Sequence, residues 1–182
     1  MNVNLATCMP AEAAVMLASD LKQIVIEIIA PAARERDVER TGGLFAFWRT
    51  DPSGVVMTPV VGLPSGLVSP DRFRKYIYFA SEKAIRLADH PDDVSSWQSR
   101  DESDPDRMNH KYGGAIRCGR VWVPHLIFSF SGFSELEDEA ICVILARRFD
   151  LLTDAETNVI IEASDNDLLA AYRDSRNADN PW

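Results

Sequence analysis

The stretch "HLIFSFSGFSELEDEA", residues 125–140, decides the fold because an apolar strand stops at Ser-Gly and a helix begins directly after it. Side chains alternate between the two faces of a strand. One face therefore carries Leu126, Phe128 and Phe130, which we expect in the core. The other face carries a mixed set: His125, Ile127, Ser129 and Ser131.

The second half of this stretch has the signature of a helix start. Ser134 and Glu137 have the spacing of a capping box, which predicts a helix over about 135–149. Acidic side chains in the first turn satisfy the helix dipole and would repel an anion; these are Glu135, Glu137, Asp138 and Glu139. The stretch therefore predicts a capped turn that locks strand to helix, and any ligand beside it should be neutral or cationic at that end.

Outward from this turn, hydrophobic periodicity and turn residues predict the other elements. In chain order they are a helix over 10–37 that ends or kinks at Pro31, strands over 43–50 and 54–62, a helix over 69–88, strands over 113–118 and 120–131, and one or two short helices after 150. "DPSG" at 51–54 predicts a type I turn in the first hairpin, and Gly119 a tight turn in the second. Pro59 lacks a backbone donor, which places its strand at an edge of the sheet.

The order α-β-β-α-β-β-α, followed by C-terminal helices, predicts an α+β fold with helices packed on the faces of one sheet. The chain of 182 residues is expected to form a single domain, 1–182, with 150–182 as a C-terminal helical appendage. In the helix over 69–88 the apolar stripe consists of Phe73, Tyr76, Ile77, Ala80, Ala84 and Leu87. The bases Arg72, Lys75, Lys83 and Arg86 are expected on the other faces of this helix, where a solvated face is favoured over a binding surface.

Composition limits the partners and the compartment. The formal charge of −9 disfavours binding to nucleic acid and to anionic membranes. No apolar run is long enough to span a bilayer, and the N-terminus lacks the positive region of a signal peptide. Three cysteines without a CxxC motif give no disulfide framework. We therefore expect a cytoplasmic protein.

Residues 110–146, "HKYGGAIRCGRVWVPHLIFSFSGFSELEDEAICVILA", resemble the GlcG/HbpS-like family, also described as haem-degrading proteins and similar to the C-terminal domain of PduO-type cobalamin adenosyltransferases. The family has a Gly-Gly-x-Pro-Ile strand, a glycine turn, a strand that ends in Val-Ser-Gly, and a helix with an Asp-Glu-Ala step. The matching positions here are Gly113, Gly114 and Ile116; Gly119; Ser131 and Gly132; and Asp138, Glu139 and Ala140. Over about residues 20–148 the order and spacing of the elements are similar.

The resemblance implies a profilin-like fold with a five-stranded antiparallel sheet, homo-oligomers, and in some members a bound haem or related tetrapyrrole. This chain departs from the family pattern at Ala115, where the family has proline. Bulky residues also stand where the family strand is rich in glycine and alanine, and they argue against a tetrapyrrole-sized cavity; these are Pro124, His125, Phe128 and Phe130.

A candidate ligand site gathers His110, Tyr112, Gly113, Gly114, Ser131 and Gly132, with Arg49 as a further candidate. His110 could ligate haem iron or act as a base, and His125 is expected to be a hydrogen-bonded strand residue. The two glycines could admit a ligand to the backbone or mark a bulge. Arg49 could pair with a ligand carboxylate or with a surface acid. The polar segment 89–112 could be a lid or a mobile loop.

Two functions remain open. The first is non-enzymatic binding of a small molecule, with haem or a related tetrapyrrole as the candidate cofactor. The alternative is an oligomeric, partner-binding accessory protein without a ligand. No sequence motif supports an enzymatic function, because the chain lacks Gly-x-Ser-x-Gly, a P-loop and Gly-x-Gly-x-x-Gly. Cys118, His125 and His110 lack the spacing of a metal site.

Overall fold

A computed structural model describes residues 18–29, 31, 42–50, 56–66, 68–100, 112–120 and 123–177. Helix α1 comprises residues 18–23 and a π-helical continuation, Ile24–Ile29. The other elements are β1 (Gly42–Thr50), β2 (Val56–Gly66), α2 (Pro70–Ala88), β3 (Ala115–Arg120), β4 (Val123–Ser131), α3 (Glu135–Arg148), α4 (Asp154–Ser164) and α5 (Asp167–Asn177). The α+β class is confirmed. The expected turn at 51–54 and the expected helical residues 10–17 and 32–37 lie outside the described residues.

The described strands form one antiparallel sheet in the order β2-β1-β4-β3. The five-stranded, profilin-like sheet implied by the family resemblance is therefore wrong for the described part of the chain, which has four strands. Pro59 lies in β2, an outermost strand, as its missing donor requires. Gly119 lies inside β3, at an irregularity with a φ of 143°, so the predicted turn at this residue is also wrong.

In the described part of the chain, pairing beside β3 is limited to residues 94–96, which leave the sheet after a single bridge. Ser95 bridges Ile116, with backbone hydrogen bonds from Ser96 N to the Ala115 carbonyl and from Arg117 N to the Val94 carbonyl. The amide oxygen of Gln98 then accepts from the N–H groups of residues 94 and 95, at 2.9 and 3.1 Å. These local bonds turn the chain away from β3 and end the pairing.

The sheet separates two helical layers. On one face α2 packs through a small cluster: Ala46, Trp48, Ala84, Leu87, Ala88, Ala115 and Ile127. The opposite face carries the larger core, which joins Phe45, Phe128 and Phe130 to α1, α3 and the C-terminal helices. The rings of Phe45 and Phe128 meet edge to face with centroids 5.2 Å apart. The predicted alternation along β4 is confirmed, since Ile127 lies in the first cluster and its neighbours 126 and 128 lie in the second.

Helix boundaries follow the local chemistry of the caps. Ser69 caps α2, with proline at its first position, and Ser134 with Glu137 forms the predicted capping box of α3. A second capping box, Thr153 with Glu156, begins α4. Leu151, Leu152, Ile160 and Leu169 belong to the larger core, so the C-terminal helices pack on the domain. Within the described residues, no helix combines the length and hydrophobicity needed to cross a bilayer.

Candidate functional site

Most of the predicted site residues come together at one end of the sheet. Gly113 and Gly114 precede β3, Ser131 ends β4 and Gly132 follows it. The N–H of Phe130 donates to the Gly114 carbonyl at 2.7 Å. Gly132 lies against the start of β1, where a Cβ atom would come within 2.4 Å of the Gly43 Cα. Their role as ligand contacts stays a prediction.

The histidine and arginine candidates do not join this end. Arg49 is exposed and pairs with Leu126, while Leu44 pairs with Ser131, so Arg49 lies about 17 Å away along the sheet. His125 is exposed at the same far end as Arg49, with a left-handed φ of 58°. His110 lies outside the described residues.

Gly114 is required by the close approach of protein atoms. Its φ is 111°, a conformation that residues with a Cβ rarely adopt. A Cβ atom here would lie 2.7 Å from Lys83 Nζ, 2.7 Å from the Asp138 Cβ and 2.8 Å from the Phe130 carbonyl oxygen. A Cβ at Gly113 would meet the Glu135 carbonyl oxygen at 2.5 Å. The glycine step is therefore filled by the protein itself, and the residues around it do not fit a tetrapyrrole.

The group that fills this space is a buried ion pair between the two helical layers. Lys83 Nζ lies 2.9 Å from Asp138 Oδ2 and donates to the Phe130 carbonyl at 3.0 Å. Asp138 Oδ1 accepts from the N–H of Phe133 at 2.8 Å. The two side chains are 0% and 3% exposed. The prediction that Lys83 lies on a solvated face is thus wrong, because its stem runs inward from α2 and its charge is neutralised by the first turn of α3.

Glu139 forms a second buried polar centre on the other side of the same turn. It accepts hydrogen bonds from the hydroxyls of Ser95 and Ser164, both at 2.5 Å, and from the Asn166 amide at 3.1 Å. Burial raises the pKa of this carboxyl, against the opposing effect of these donors and of Lys83. Glu139 therefore ties the 94–96 segment, the end of α4 and the start of α5 to the core.

Tyr112 is held by contacts within the chain. Its carbonyl accepts from the Ser96 hydroxyl and from Arg86 Nη2, the latter at 3.2 Å. The guanidinium of Arg86 lies 5.6 Å from the centre of its ring, and the Trp97 ring meets it edge-on with centroids 6.5 Å apart. Glu135 accepts from its N–H. These contacts fix residue 112 as the anchor between the loop and the start of β3.

An open surface in the described part of the chain is the outer face of α2, defined here by Arg74, Ile77, Tyr78, Ser81, Glu82, Ile85 and Asp89. Its apolar members are unusually exposed: Ile77 by 42%, Tyr78 by 62% and Ile85 by 48%. An open groove of about 400 Å³ runs along it, lined by Tyr78, Ser81, Glu82, Ile85, Arg86 and Asp89. The apolar stripe predicted for α2 includes Ile77, which is exposed because the inward side of the helix is narrower and consists of Ala80, Lys83, Ala84, Leu87 and Ala88.

Two features of this region are not predicted from the sequence. The predicted apolar stripe omits Tyr78 and Ile85. The residues one turn from Tyr78 are all polar or charged, so hydrophobic periodicity gives no signal for it. Lys83 carries one signal of its burial, since it stands between Ala80, Ala84 and Leu87 on the inward side. Its partner Asp138 lies 55 residues away and has no local signal.

The chain matches no protein-family model, no curated protein and no solved structure. The resemblance to the GlcG/HbpS-like family therefore stays a prediction.

Proposed function

We propose that the protein is a non-catalytic, self-associating accessory protein whose binding surface is the outer face of α2 and whose occupant there is a second copy of the chain. The observation that carries the proposal is the exposure of Ile77, Tyr78 and Ile85 on one helix face. Exposed apolar side chains beside a groove are typical of surfaces that bind protein.

The packing of the interior supports association over ligand binding. The space at the glycine step is taken by Lys83, Asp138 and the Phe130 backbone, and aromatic rings fill the adjoining core. The rings of Phe130 and Phe133 stack with centroids 6.1 Å apart, directly beside the strand end where the sequence predicts a ligand. Binding energy would therefore come from the outside of the molecule.

The charges on α2 favour a second copy as the occupant. Exposed bases, Arg74 and Lys75, lie in the N-terminal half of the helix, and Asp89 lies at its C-terminal end. Glu82 is neutralised by Arg86 at 2.6 Å within the same chain. A surface that is basic at one end and acidic at the other complements itself when two copies meet in opposite directions.

Analytical ultracentrifugation tests the proposal directly. We expect the wild-type chain to sediment as a dimer, with twice the mass of the 20.3 kDa chain. Ile85→Arg and Tyr78→Arg should each raise the dissociation constant more than about tenfold, because each places a charge in the apolar contact. Ile26→Arg and Val159→Arg are matched controls, since both residues are similarly exposed on other helices.

The control variants also test where on the molecule the interface lies. Circular dichroism melting should show that all four variants keep the wild-type fold. Sedimentation should be measured over a series of protein concentrations that spans about 100-fold. A wild-type protein that stays monomeric at the highest concentration would overturn self-association. A dimer that is broken by Ile26→Arg or Val159→Arg, and not by the α2 variants, would overturn the placement on α2.

Small-molecule binding, with haem as the named candidate, stays a prediction with its own test. A hemin titration should give a Soret shift if a tetrapyrrole binds, and His110→Ala should abolish the shift if that histidine is the axial ligand. A wild-type protein that dimerises and gives no shift supports association as the function.

A further inference from the structure

The side chains that cross the outer face of α2 have a self-complementary order along the helix. Arg74, Tyr78, Ser81, Ile85 and Asp89 follow one another at helical spacing, so they form one stripe. Tyr78 and Ile85 lie equally far on either side of the midpoint between Ser81 and Glu82. Arg74 and Asp89 also lie equally far on either side of that midpoint.

We infer that two copies of α2 pair antiparallel, with a two-fold axis at the midpoint between Ser81 and Glu82; this inference rests on the proposed function and specifies its geometry. In a two-fold interface each contact occurs twice with the partners exchanged. Residues equidistant from the axis on opposite sides therefore face each other. Tyr78 meets Ile85 of the second copy, and Ile85 meets the second copy's Tyr78.

The apolar pair fits the shape of the surface. Among the described residues, Tyr78 is the most exposed large apolar side chain, and it lines the groove together with Ile85, seven positions further along the helix. The ring of one copy can thus enter the groove of the other and cover Ile85. An aromatic anchor in a pocket is a common form of an interface hot spot.

The charged pair specifies the direction. In the antiparallel arrangement Arg74 of each copy faces Asp89 of the other, which gives two ion pairs at the two ends of the contact. A parallel pair would place Arg74 beside Arg74 and Asp89 beside Asp89, so like charges would oppose both ends. At the axis, Glu82 brings little repulsion because Arg86 of its own chain neutralises it. Asp71 lies one turn beyond Arg74, outside the paired region.

Charge reversal tests this register with two variants that are expected to fold. Arg74→Glu adds an acid near the N-terminus of α2, and Asp89→Arg adds a base at its C-terminal cap; both changes suit the helix dipole. Each variant alone turns both ion pairs into like-charge contacts, so each should raise the dissociation constant at least about tenfold.

The decisive sample is an equimolar mixture of Arg74→Glu and Asp89→Arg. In a mixed dimer the acid introduced at position 74 of one chain would face the base introduced at position 89 of the other, and the native Arg74 and Asp89 would form the second pair. We expect native mass spectrometry to show a mixed dimer in large excess over either homodimer, with a dissociation constant within about threefold of the wild-type value. At 1 M salt the preference should weaken, because the Debye length falls to about 3 Å.

Two charge-reversal variants outside the stripe serve as controls for this experiment. Arg72→Glu is on the same helix and exposed, and Glu162→Arg is exposed on α4; neither should change the dissociation constant. If each stripe variant alone dimerises as the wild type does while Ile85→Arg is monomeric, the register is overturned and self-association stands. A mixture that shows no excess of mixed dimer also overturns the register. A wild-type protein that is monomeric overturns both.

Discussion

Lys83 and Asp138 form an ion pair of 2.9 Å that joins helices on opposite faces of the sheet. The lysine belongs to α2 and the aspartate to the first turn of α3, and the pair lies beside Gly114, which directly precedes β3 and has no side chain. If the lysine were removed, the carboxylate would lose its countercharge. Because both groups are buried, that charge would then be unpaired inside the protein.

We expect Lys83→Met to destabilise the protein by about 3–5 kcal/mol, since it leaves Asp138 as a buried, unpaired charge. The double variant Lys83→Met/Asp138→Asn should be less destabilised than the single variant, because it removes both charges and the asparagine oxygen can still accept from Phe133 N. Urea unfolding measures both free energies. Lys75→Met, at an exposed position of the same helix, is the control and should stay within about 0.5 kcal/mol of wild type. A Lys83→Met variant as stable as this control would contradict the prediction.

A non-glycine residue in a strained backbone conformation costs about 1–3 kcal/mol. Gly114→Ala should destabilise the protein by more than this, because steric contacts add to the strain. The added methyl would meet Lys83 Nζ, the Asp138 Cβ and the Phe130 carbonyl, all within 2.8 Å. Gly119→Ala, at a φ of 143°, is the comparison for backbone strain. Thermal and urea unfolding of the two variants should rank Gly114→Ala as the less stable, and the reverse order would count against the close approach.

Glu139 should make stability depend on pH in an unusual direction. Its folded pKa is raised above the ordinary value of 4.5, mainly by burial. A carboxyl with a raised folded pKa contributes its stability fully below the unfolded pKa and loses it as the pH rises through the folded pKa. Relative to Glu139→Gln, the wild-type protein should therefore lose free energy of unfolding as the pH increases from about 4.5 upward.

The measurement for Glu139 is urea unfolding of both proteins at several pH values. Ser164→Ala removes one of the donors to the carboxylate, so it should steepen the loss at high pH. Glu162→Gln changes an exposed carboxyl on α4 and should leave the difference from wild type constant. A difference between wild type and Glu139→Gln that grows in favour of wild type with rising pH would refute the prediction.

Cys142 should resist thiol reagents in the folded protein. Its side chain is fully buried, burial raises its pKa well above 9.0, and its Sγ donates to the Gly114 carbonyl at 3.5 Å. With a disulfide reagent at about pH 8, where a free thiol with its ordinary pKa reacts readily, peptide mapping should find residue 142 unmodified until urea unfolds the chain. Modification of the native protein at the rate of a free cysteine would show that this region opens readily.

Local chemistry explains which parts of the fold could be predicted from the sequence. The capping box of Ser134 and Glu137, the edge position of Pro59 and the alternation along β4 depend on neighbouring residues, and the structure confirms all three. The five-stranded sheet is implied by a family resemblance, and it is wrong for the described residues, where one bridge forms beside β3 and Gln98 accepts from the backbone N–H groups of Val94 and Ser95. In the sequence Gln98 is one polar side chain among several, so nothing marks it as the acceptor of these N–H groups.

The candidate site is harder to predict because it depends on distant partners. The glycine step is recognisable as a position of close approach, but the approaching group is Lys83, which the sequence pattern places in solvent. Its burial depends on Asp138, and periodicity cannot signal a contact between two helices on opposite faces of a sheet. The predicted apolar stripe includes the exposed Ile77 for a similar reason, since the width of the buried stripe on α2 is set by the sheet it covers.

The two borders of the sheet formed by the described residues have a consequence for aggregation. An outermost strand exposes unpaired N–H and C=O groups on which further strands of other molecules can assemble. Here β2 contains Pro59 and Pro64, which offer no N–H, and the border at β3 is capped by the bridge from Ser95. Strand-by-strand growth into fibrils is thereby disfavoured at both borders.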